Sequence, residues 1–217
     1  TDEVRPLFHE FGHALHGLLS HVTYGSLSGT SVKRDFVELP SQIMEHWALE
    51  PAVLRSFARH HITGEIIPDE LIDKILESST FNQGFATTEY LAASYLDMKW
   101  HEVTTSDEIS VEEFESSAMK GIDLIEKIAP RYRSTYFQHI FSGGYSAGYY
   151  SYIWAEVLDA DAYEEFRDKG IFDEDTAKSF RMNILESGGT EEPMTLYKRF
   201  KGREPDVAPL MKSRGLS

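Results

Sequence analysis

The sequence contains no cysteine, which excludes disulfides, thiolate zinc sites and cysteine nucleophiles. Any metal site must therefore be built from histidine and carboxylate ligands. Basic residues are also few, since 21 Lys and Arg stand against 36 Asp and Glu and leave a formal net charge of −15. Nucleic-acid binding needs a basic surface, so this balance argues against a nucleic-acid partner. No apolar run approaches the roughly 18–20 residues of a membrane span.

The length of 217 residues suffices for one large domain or two small ones with a buried core. The chain starts with Thr1 and reaches a histidine-rich helical segment within its first ten residues. Because a natural domain rarely opens on the helix that carries most of its chemically active side chains, we expect residues 1–217 to be a fragment of a longer chain. For the same reason, the lack of a signal peptide carries no information about localisation.

Apolar residues recur with the period of an α-helix through most of the chain. Residues 22–34 are instead rich in glycine, serine and threonine, and are predicted to form a loop or a short pair of strands. Two acidic stretches, 102–126 and 156–175, are interpreted as helix faces in contact with solvent. The fold class is therefore mainly α. The predicted helical segments are 4–20, 36–62 (with kinks or restarts expected at Pro40 and Pro51), 69–79, 85–103, 111–127, 148–168, 173–187 and 192–200.

The first helical segment carries the pattern His-Glu-x-x-His at residues 9–13. Residues four apart lie one turn apart on the same face of a helix, so His9 and His13 can share one zinc ion. Glu10 projects beside them, and a carboxylate in that place can accept the proton of a water that zinc has acidified. A chance occurrence of this pattern has a probability on the order of 0.03, so the zinc interpretation is favoured over a histidine pair in the core or on the surface.

A catalytic zinc site needs a third protein ligand, and two residues compete for that place. His16 follows on the same face, but it stands about 10.5 Å along a straight helix from His9, whereas two ligand nitrogens lie about 3.3 Å apart. His16 is therefore predicted to have a supporting or structural role. Glu38 lies on a later segment that can pack beside the first. Because Asp35 and Glu38 also match a capping box, spacing alone leaves Glu38 undecided.

Several stretches of the sequence resemble the zinc metallopeptidase family that includes thimet oligopeptidase, neurolysin and dipeptidyl carboxypeptidase. They are FHEFGHALHGLLS followed by YGSLSGT, DFVELPSQIMEHW, and HIFSGGYSAGYYSYIWAEV at 139–157. The resemblance runs through the whole chain, and PRYRSTYFQHIFSGGYSAGYYSYIW at 130–154 is most similar to the bacterial dipeptidyl carboxypeptidase branch. It implies that Glu38 is the third zinc ligand. It also implies a helical, thermolysin-like (gluzincin) catalytic domain within a longer two-lobed enzyme, whose channel admits short peptides.

Four tyrosines fall close together in a glycine-rich segment: Tyr145, Tyr149, Tyr150 and Tyr152. Peptide hydrolysis at zinc needs a hydrogen-bond donor to the oxyanion, and a phenol or an imidazole can supply it. By helical spacing alone, these rings are interpreted as an aromatic stripe in the core. The resemblance implies instead that His139, Tyr149 and Tyr152 take part in catalysis, with Tyr152 as the main oxyanion donor. It further implies that Tyr145 contacts substrate, while Tyr150 is left as a packing residue.

Arg131 and Arg133 precede the tyrosines and are candidates for binding the C-terminal carboxylate of a peptide, because guanidinium groups bind carboxylates through two hydrogen bonds. A surface pair at a helix start is the simpler interpretation of each arginine. Glu45 shares a helix face with Glu38 and is predicted to orient a ligand histidine, with an ordinary exposed glutamate as the alternative. Four other histidines lack metal spacing and are predicted to be surface or core residues: His46, His60, His61 and His101.

The residues and the resemblance together predict a zinc metallopeptidase that hydrolyses short peptides and releases C-terminal dipeptides, as a peptidyl-dipeptidase does. The alternatives are an endo-acting oligopeptidase of the same family and an inactive zinc-binding fragment that lacks its complementary lobe. Short peptides are the expected partners, without nucleic acid or membrane, and the oligomeric state is open. The resemblance implies a cytoplasmic location, and a periplasmic one would also suit a chain without cysteine.

Overall fold

The computed structural model describes residues 3–105 and 107–216 and confirms the mainly α prediction. Within these ranges there is one isolated β-bridge, between Arg59 and Ile66, and no strand. No helix of the described part combines the length and the apolar character that a membrane span requires. The α-helices are α1 (Val4–Leu18), α2 (Leu39–Leu49), α3 (Pro51–Phe57), α4 (Asp69–Ser78), α5 (Gln83–His101), α6 (Val111–Lys120), α7 (Gln138–Phe141), α8 (Ser151–Lys169), α9 (Glu174–Phe180), α10 (Pro193–Lys201) and α11 (Ala208–Ser213).

Proline residues stand in the first turn of several helices, because the N–H group that proline lacks has no partner there in any case. Pro51 and Pro193 are the first residues of α3 and α10, and Pro40 lies in the first turn of α2. The predicted segment 36–62 therefore contains two helices, and the restart expected at Pro51 is confirmed. The helix α3 ends at Phe57, however, so residues 58–62 are not helical as expected.

Several sequence-based expectations differ from the structure. The helix α6 ends at Lys120 rather than near residue 127, and Asp123 beyond it has a left-handed backbone with φ of 51°. Residues 22–34 form a loop that contains one 3-10 turn, without the alternative pair of strands. The short helices α7 and α11 were not predicted, since four and six residues are too few to show a clear period.

The described residues form two compact units. One comprises the chain up to Phe81 and from Ile153 onward, and the other is Asn82–Tyr152. Each unit buries apolar side chains of its own. The core of the first unit contains Phe36, Leu39, Ile43, Leu158, Ala162, Tyr163, Phe166, Phe180, Ile184, Leu185, Leu196 and Tyr197. The smaller core of the second contains Ala92, Leu96, Ala118 and Met119.

The helices α1 and α2 of the first unit pack at very short distance, and Gly12 makes this possible. It is buried, and a Cβ atom there would lie 2.9 Å from the carbonyl carbon of Pro40 and closer still to the Cα atom of Ser41. Real Cβ atoms do not approach a backbone so closely, so the site needs a residue without a side chain. The histidine-bearing helix is thereby held against the first turn of α2.

Parts of the two acidic stretches are buried, which corrects the expectation that they face solvent. Glu115, Asp159 and Asp161 are at most 5% exposed. A buried carboxylate is tolerated where charged or hydrogen-bonding partners surround it, and here those partners come from distant parts of the sequence. The pairs are Glu115 with Arg133, Asp159 with His46, and Asp161 with Arg203.

Candidate metal centre and tyrosine segment

The His-Glu-x-x-His pattern lies on α1, and its two histidines face the same side of that helix. The imidazole rings of His9 and His13 have their centroids 5.0 Å apart and stand nearly perpendicular. Glu38 comes from the start of α2 and is 4% exposed. Its Oε2 atom lies 3.4 Å from His9 Nε2 and 3.3 Å from His13 Nε2.

These three atoms fit the requirements of a zinc site. Zinc bonds of about 2.0–2.1 Å place two tetrahedral ligands about 3.3 Å apart, which matches both measured separations. Within the described part of the chain, the cluster of residues able to hold a metal consists of His9, His13 and Glu38. The set of two imidazoles and one carboxylate is a donor set that zinc accepts in hydrolytic enzymes.

The structure also decides how the backbone presents Glu38. The residue is itself the N-cap of α2, so the alternative in which Asp35 begins this helix with a capping box is wrong. Its side chain does not cap the helix but turns toward the two histidines. The hydroxyl of Ser41 donates to the Glu38 carbonyl oxygen at 2.8 Å and lies 3.1 Å from Oε2, which restrains the carboxylate.

A second carboxylate lies behind His9, as predicted for Glu45. His9 Nδ1 lies 2.8 Å from Glu45 Oε1, while Arg5 donates to the other oxygen at 2.8 Å. A proton on Nδ1 that is held by Glu45 leaves Nε2 as the atom with a lone pair toward Glu38. The arrangement therefore orients the His9 ring and selects its metal-binding tautomer.

The charges around His9 shift two pKa values in the metal-free chain. Burial lowers the pKa of His9, but hydrogen bonds to Glu38 and Glu45 outweigh it and raise that pKa to about 9. Burial likewise opposes ionisation of Glu45, yet its contacts with His9 and Arg5 hold its pKa below the ordinary value. The two carboxylates thus favour a positive charge at His9, and a metal ion bound at Nε2 would take the place of the proton there.

The two other polar residues of the first helix are placed differently. Glu10 is exposed, so its carboxylate is open to solvent. His16 is fully buried, and neither of its ring nitrogens has a hydrogen-bond partner in the described part of the chain. Burial and the neighbouring His13 lower the pKa of His16 to about 4. His16 is outside the metal cluster, in agreement with its predicted structural role.

The histidines without metal spacing are surface or core residues, as predicted. His46 Nε2 lies 2.7 Å from Asp159 Oδ1, and its ring stacks on Tyr163 at 4.3 Å. His101 is paired with the buried Asp97 at 2.8 Å. His60 and His61 are exposed neighbours.

The second unit brings together the residues singled out around the glycine-rich stretch, here called the tyrosine segment (residues 145–152). The rings of Tyr145 and Tyr152 stack with centroids 4.9 Å apart. The His139 ring lies 6.3 Å from that of Tyr152 and 5.7 Å from that of Tyr149. Burial, together with Arg131, lowers the pKa of His139, which favours its neutral form.

The tyrosines differ in burial. Tyr149 is 2% exposed and packs on Phe137 at 4.9 Å, and burial raises its pKa. Tyr145 and Tyr152 are half-buried. Tyr150 is 44% exposed, which corrects its prediction as a packing residue.

The two candidate arginines have different surroundings. Arg133 donates from Nε to the buried Glu115, whose other oxygen accepts the backbone N–H of Ser134 at 2.9 Å. This pairing favours a structural role for Arg133. The Arg131 guanidinium lies 6.0 Å from the ring centroid of Tyr132. The ring centroids of Tyr132 and His139 lie 4.7 Å apart. Arg131 therefore belongs to the same cluster as the tyrosine segment.

One residue of this unit was missed in the sequence. Asp97 is fully buried and accepts the backbone N–H groups of Ala147 and Tyr149 at 2.9 and 2.8 Å. Its spacing of four residues from His101 was visible in the sequence, but a pair on one helix carries no information about a backbone fifty residues away.

The cluster of His9, His13 and Glu38 offers a donor set that zinc accepts in hydrolytic enzymes, and the comparisons with known proteins agree with that chemistry. A model of Peptidase family M3 matches residues 1–216. The chain belongs to this family, which confirms the resemblance found in the sequence.

Several relatives match over nearly the whole chain. The dipeptidyl carboxypeptidase of Escherichia coli (strain K12) is 44% identical over 218 residues, which cover 100% of this chain and 32% of that protein. The dipeptidyl carboxypeptidase of Salmonella typhimurium (strain LT2) is 46% identical over 217 residues, covering 99% and 32%. Oligopeptidase A of Escherichia coli (strain K12) is 42% identical, also covering 99% and 32%. The chain thus spans about a third of the length of these relatives.

Proposed function

We propose that this chain is the C-terminal part of a zinc peptidase catalytic domain that hydrolyses short peptides and releases C-terminal dipeptides. The observation that carries the proposal is the convergence of His9 Nε2, His13 Nε2 and Glu38 Oε2 at 3.3–3.4 Å. Membership of Peptidase family M3 supports peptide hydrolysis, and the similarity to two dipeptidyl carboxypeptidases supports dipeptide release.

Zinc is the proposed metal, held by His9, His13 and Glu38. When bound, it would acidify a water molecule and polarise the scissile carbonyl group. Glu10 accepts the proton of the attacking water at a carboxylate oxygen and then donates it to the leaving amine. The exposed position of Glu10, one residue from a ligand histidine, supports this role. Glu45 keeps the His9 ring in the orientation that presents Nε2.

The proposed donor to the oxyanion is Tyr152, assisted by His139. A phenol O–H is suited to this task because it can strengthen its hydrogen bond as negative charge develops on the carbonyl oxygen. The partial exposure of Tyr152 supports the choice. Tyr149 was predicted as a second donor, and its near-complete burial favours a role in holding Tyr152 and His139 in place. Tyr145, stacked on Tyr152, is proposed to contact substrate.

Recognition of the peptide C-terminus is assigned to Arg131. Its place beside the tyrosine segment supports this role, whereas the contact of Arg133 with buried Glu115 makes Arg133 the weaker candidate. The similarity to oligopeptidase A keeps endo-cleavage as the second candidate function. The partners are short peptides in either case, and the family resemblance makes the cytoplasm the proposed compartment, with the periplasm as the alternative.

The experiment that tests the proposal combines metal analysis with peptide hydrolysis in Glu10→Gln. This variant keeps every zinc ligand and removes only the base, so zinc content should stay at the wild-type level. Hydrolysis should fall by about 100-fold or more. Glu70→Gln, which changes an exposed glutamate of α4, is the matched control and should keep full turnover. Unimpaired hydrolysis in Glu10→Gln would refute the mechanism, and a wild-type chain that binds zinc without cleaving peptides would support the inactive-fragment alternative.

A further inference from the structure

A buried carboxylate accepts hydrogen bonds from the backbone of the tyrosine segment. Asp97, on α5, is fully buried, and its two oxygens accept different N–H groups of that segment. Oδ1 accepts from Ala147 at 2.9 Å and Oδ2 from Tyr149 at 2.8 Å. His101 Nδ1, one helical turn along α5, lies 2.8 Å from Oδ1, 2.8 Å from the backbone carbonyl oxygen of Asp97 and 3.3 Å from the nitrogen of Ala147. One buried side chain thus binds two N–H groups that are two residues apart, which constrains the backbone between them.

The same backbone is held from a second side. The hydroxyl of Tyr90, also on α5, donates to the carbonyl oxygen of Tyr149 at 2.5 Å. The Tyr90 ring stacks on the Tyr149 ring with centroids 5.2 Å apart. Both polar groups of the Tyr149 backbone are therefore bound by side chains of one helix.

The segment needs such a constraint because part of it is strained. Ala147 has φ of 51°, a left-handed conformation that is unfavourable for a residue with a Cβ atom. Conformations of this kind persist where the surroundings hold them, and they occur often at functional sites. Asp97 binds the N–H of this very residue.

We infer that Asp97 is a positioning residue, which fixes the backbone of residues 147–149 and thereby the placement of the Tyr145 and Tyr152 rings that flank it. The catalytic part of this inference rests on the proposed function, because it assumes that Tyr152 acts on the substrate. The structural part stands on the contacts of Asp97 alone. Asp97 touches no reacting atom and would act through the tyrosine segment.

The structural part is tested by NMR on the 217-residue chain with the variant Asp97→Asn. The side chain keeps its shape, but one acceptor oxygen becomes an N–H₂ group that cannot accept from a backbone N–H. Amide hydrogen exchange at Ala147 or Tyr149 should accelerate by about tenfold or more. The ring signals of Tyr152 should move toward those of an unstacked tyrosine. In Asp97→Asn, hydrogen exchange of the amides within α6 should stay at the wild-type rate. The control variant Glu102→Gln, at an exposed position just beyond α5, should show wild-type exchange and wild-type Tyr152 signals.

A second variant provides an independent test in case Asp97→Asn does not fold. Tyr90→Phe removes only the hydroxyl that binds Tyr149 and keeps the ring, so it should loosen the same backbone to a smaller degree. Wild-type exchange at Ala147 and Tyr149 in both variants would overturn the inference. Equal acceleration across α6 would also overturn it, because that result describes general stabilisation of the unit.

Kinetics test the catalytic part. Asp97→Asn should lower kcat by about tenfold while KM and zinc content change little, as expected when only transition-state contacts are disturbed. Unchanged kcat in a variant with a loosened segment would refute the catalytic part alone. An inactive wild-type chain would count against the proposed function, whereas the NMR result would still decide whether Asp97 positions the segment.

Discussion

His16, three residues from a proposed zinc ligand, is a buried imidazole whose nitrogens have no hydrogen-bond partner among residues 3–105 and 107–216. Its folded-state pKa of about 4 lies below the ordinary value of 6.5, because burial opposes the charged form. Between these two pH values the unfolded chain binds a proton at His16 and the folded chain does not. The stability that this residue contributes is therefore complete above pH 6.5 and is lost as pH falls toward 4.

We predict that His16→Leu removes this pH dependence. In chelator-treated, metal-free protein, the free energy of unfolding of the wild type should fall by on the order of 2 kcal/mol more than that of the variant between pH 7 and pH 4. Urea denaturation at a series of pH values measures the difference. His21→Gln, at an exposed position, is the control and should follow the wild type. Parallel pH curves for wild type and His16→Leu would contradict the prediction.

Site residues that lie close together in the sequence could be predicted, whereas residues that only tertiary packing brings together could not. His9, Glu10 and His13 were identified because one helical turn sets their geometry. Glu38 stayed undecided on spacing alone, since its place depends on how α2 packs on α1. Asp97 gave no signal, because its partners are backbone groups of a distant segment, and a sequence pattern contains no information about them.

The approach of α1 to α2 is the element-level feature on which the metal cluster depends. Gly12 lies between the two ligand histidines in the sequence, and its missing Cβ atom lets the start of α2, with Glu38, come close. A methyl group there would have to displace backbone atoms, which cannot yield as a flexible side chain can.

We predict that Gly12→Ala separates the two helices and weakens zinc binding by about tenfold or more, with a loss of stability of about 1–3 kcal/mol. Gly17→Ala is the matched control on the same helix, since a Cβ atom at Gly17 would meet no atom within 4 Å. That change should leave zinc affinity unaltered and stabilise the helix slightly. Zinc titration and thermal unfolding of both variants provide the measurement. Equal zinc affinity in the two variants would show that the close approach is dispensable.

Most helices could be predicted because apolar periodicity and proline are local signals. Pro51 marked the start of α3, and the long segments around α5 and α8 were recognised from their period. The early end of α6 could not be predicted, because the chain leaves the helix through a left-handed residue, Asp123, that the apolar pattern does not show. Burial of Asp159 and Asp161 was hidden for a similar reason, since their partners lie on other elements.

The chain spans about a third of the length of the relatives that it matches. The activity of those longer proteins therefore cannot be assigned to this chain without a measurement. Dipeptide release requires the free carboxylate at the end of the substrate, whereas endo-cleavage does not. The two activities can therefore be distinguished by whether cleavage depends on the C-terminal carboxylate of the substrate.

We predict that a short peptide with a free C-terminus loses a dipeptide, and that amidation of the same peptide lowers kcat/KM by about tenfold or more, because a charged hydrogen-bonding partner is lost. Arg131→Gln should reduce the difference between the two substrates, and Arg167→Gln, an exposed arginine of α8, should preserve it. Mass spectrometry of the products gives both the cleavage position and the rate. Equal cleavage of both peptides at internal bonds would favour the oligopeptidase alternative.

The proposed mechanism depends most on the identity of the zinc ligands. X-ray absorption at the zinc edge of the metal-loaded chain identifies these ligands directly. We predict two imidazole ligands and one carboxylate ligand in the wild type, loss of zinc in Glu38→Ala, and retention of the wild-type spectrum in His16→Ala. A spectrum with three imidazoles, or zinc that is kept by Glu38→Ala and lost by His16→Ala, would contradict the assignment of Glu38 and the mechanism built on it.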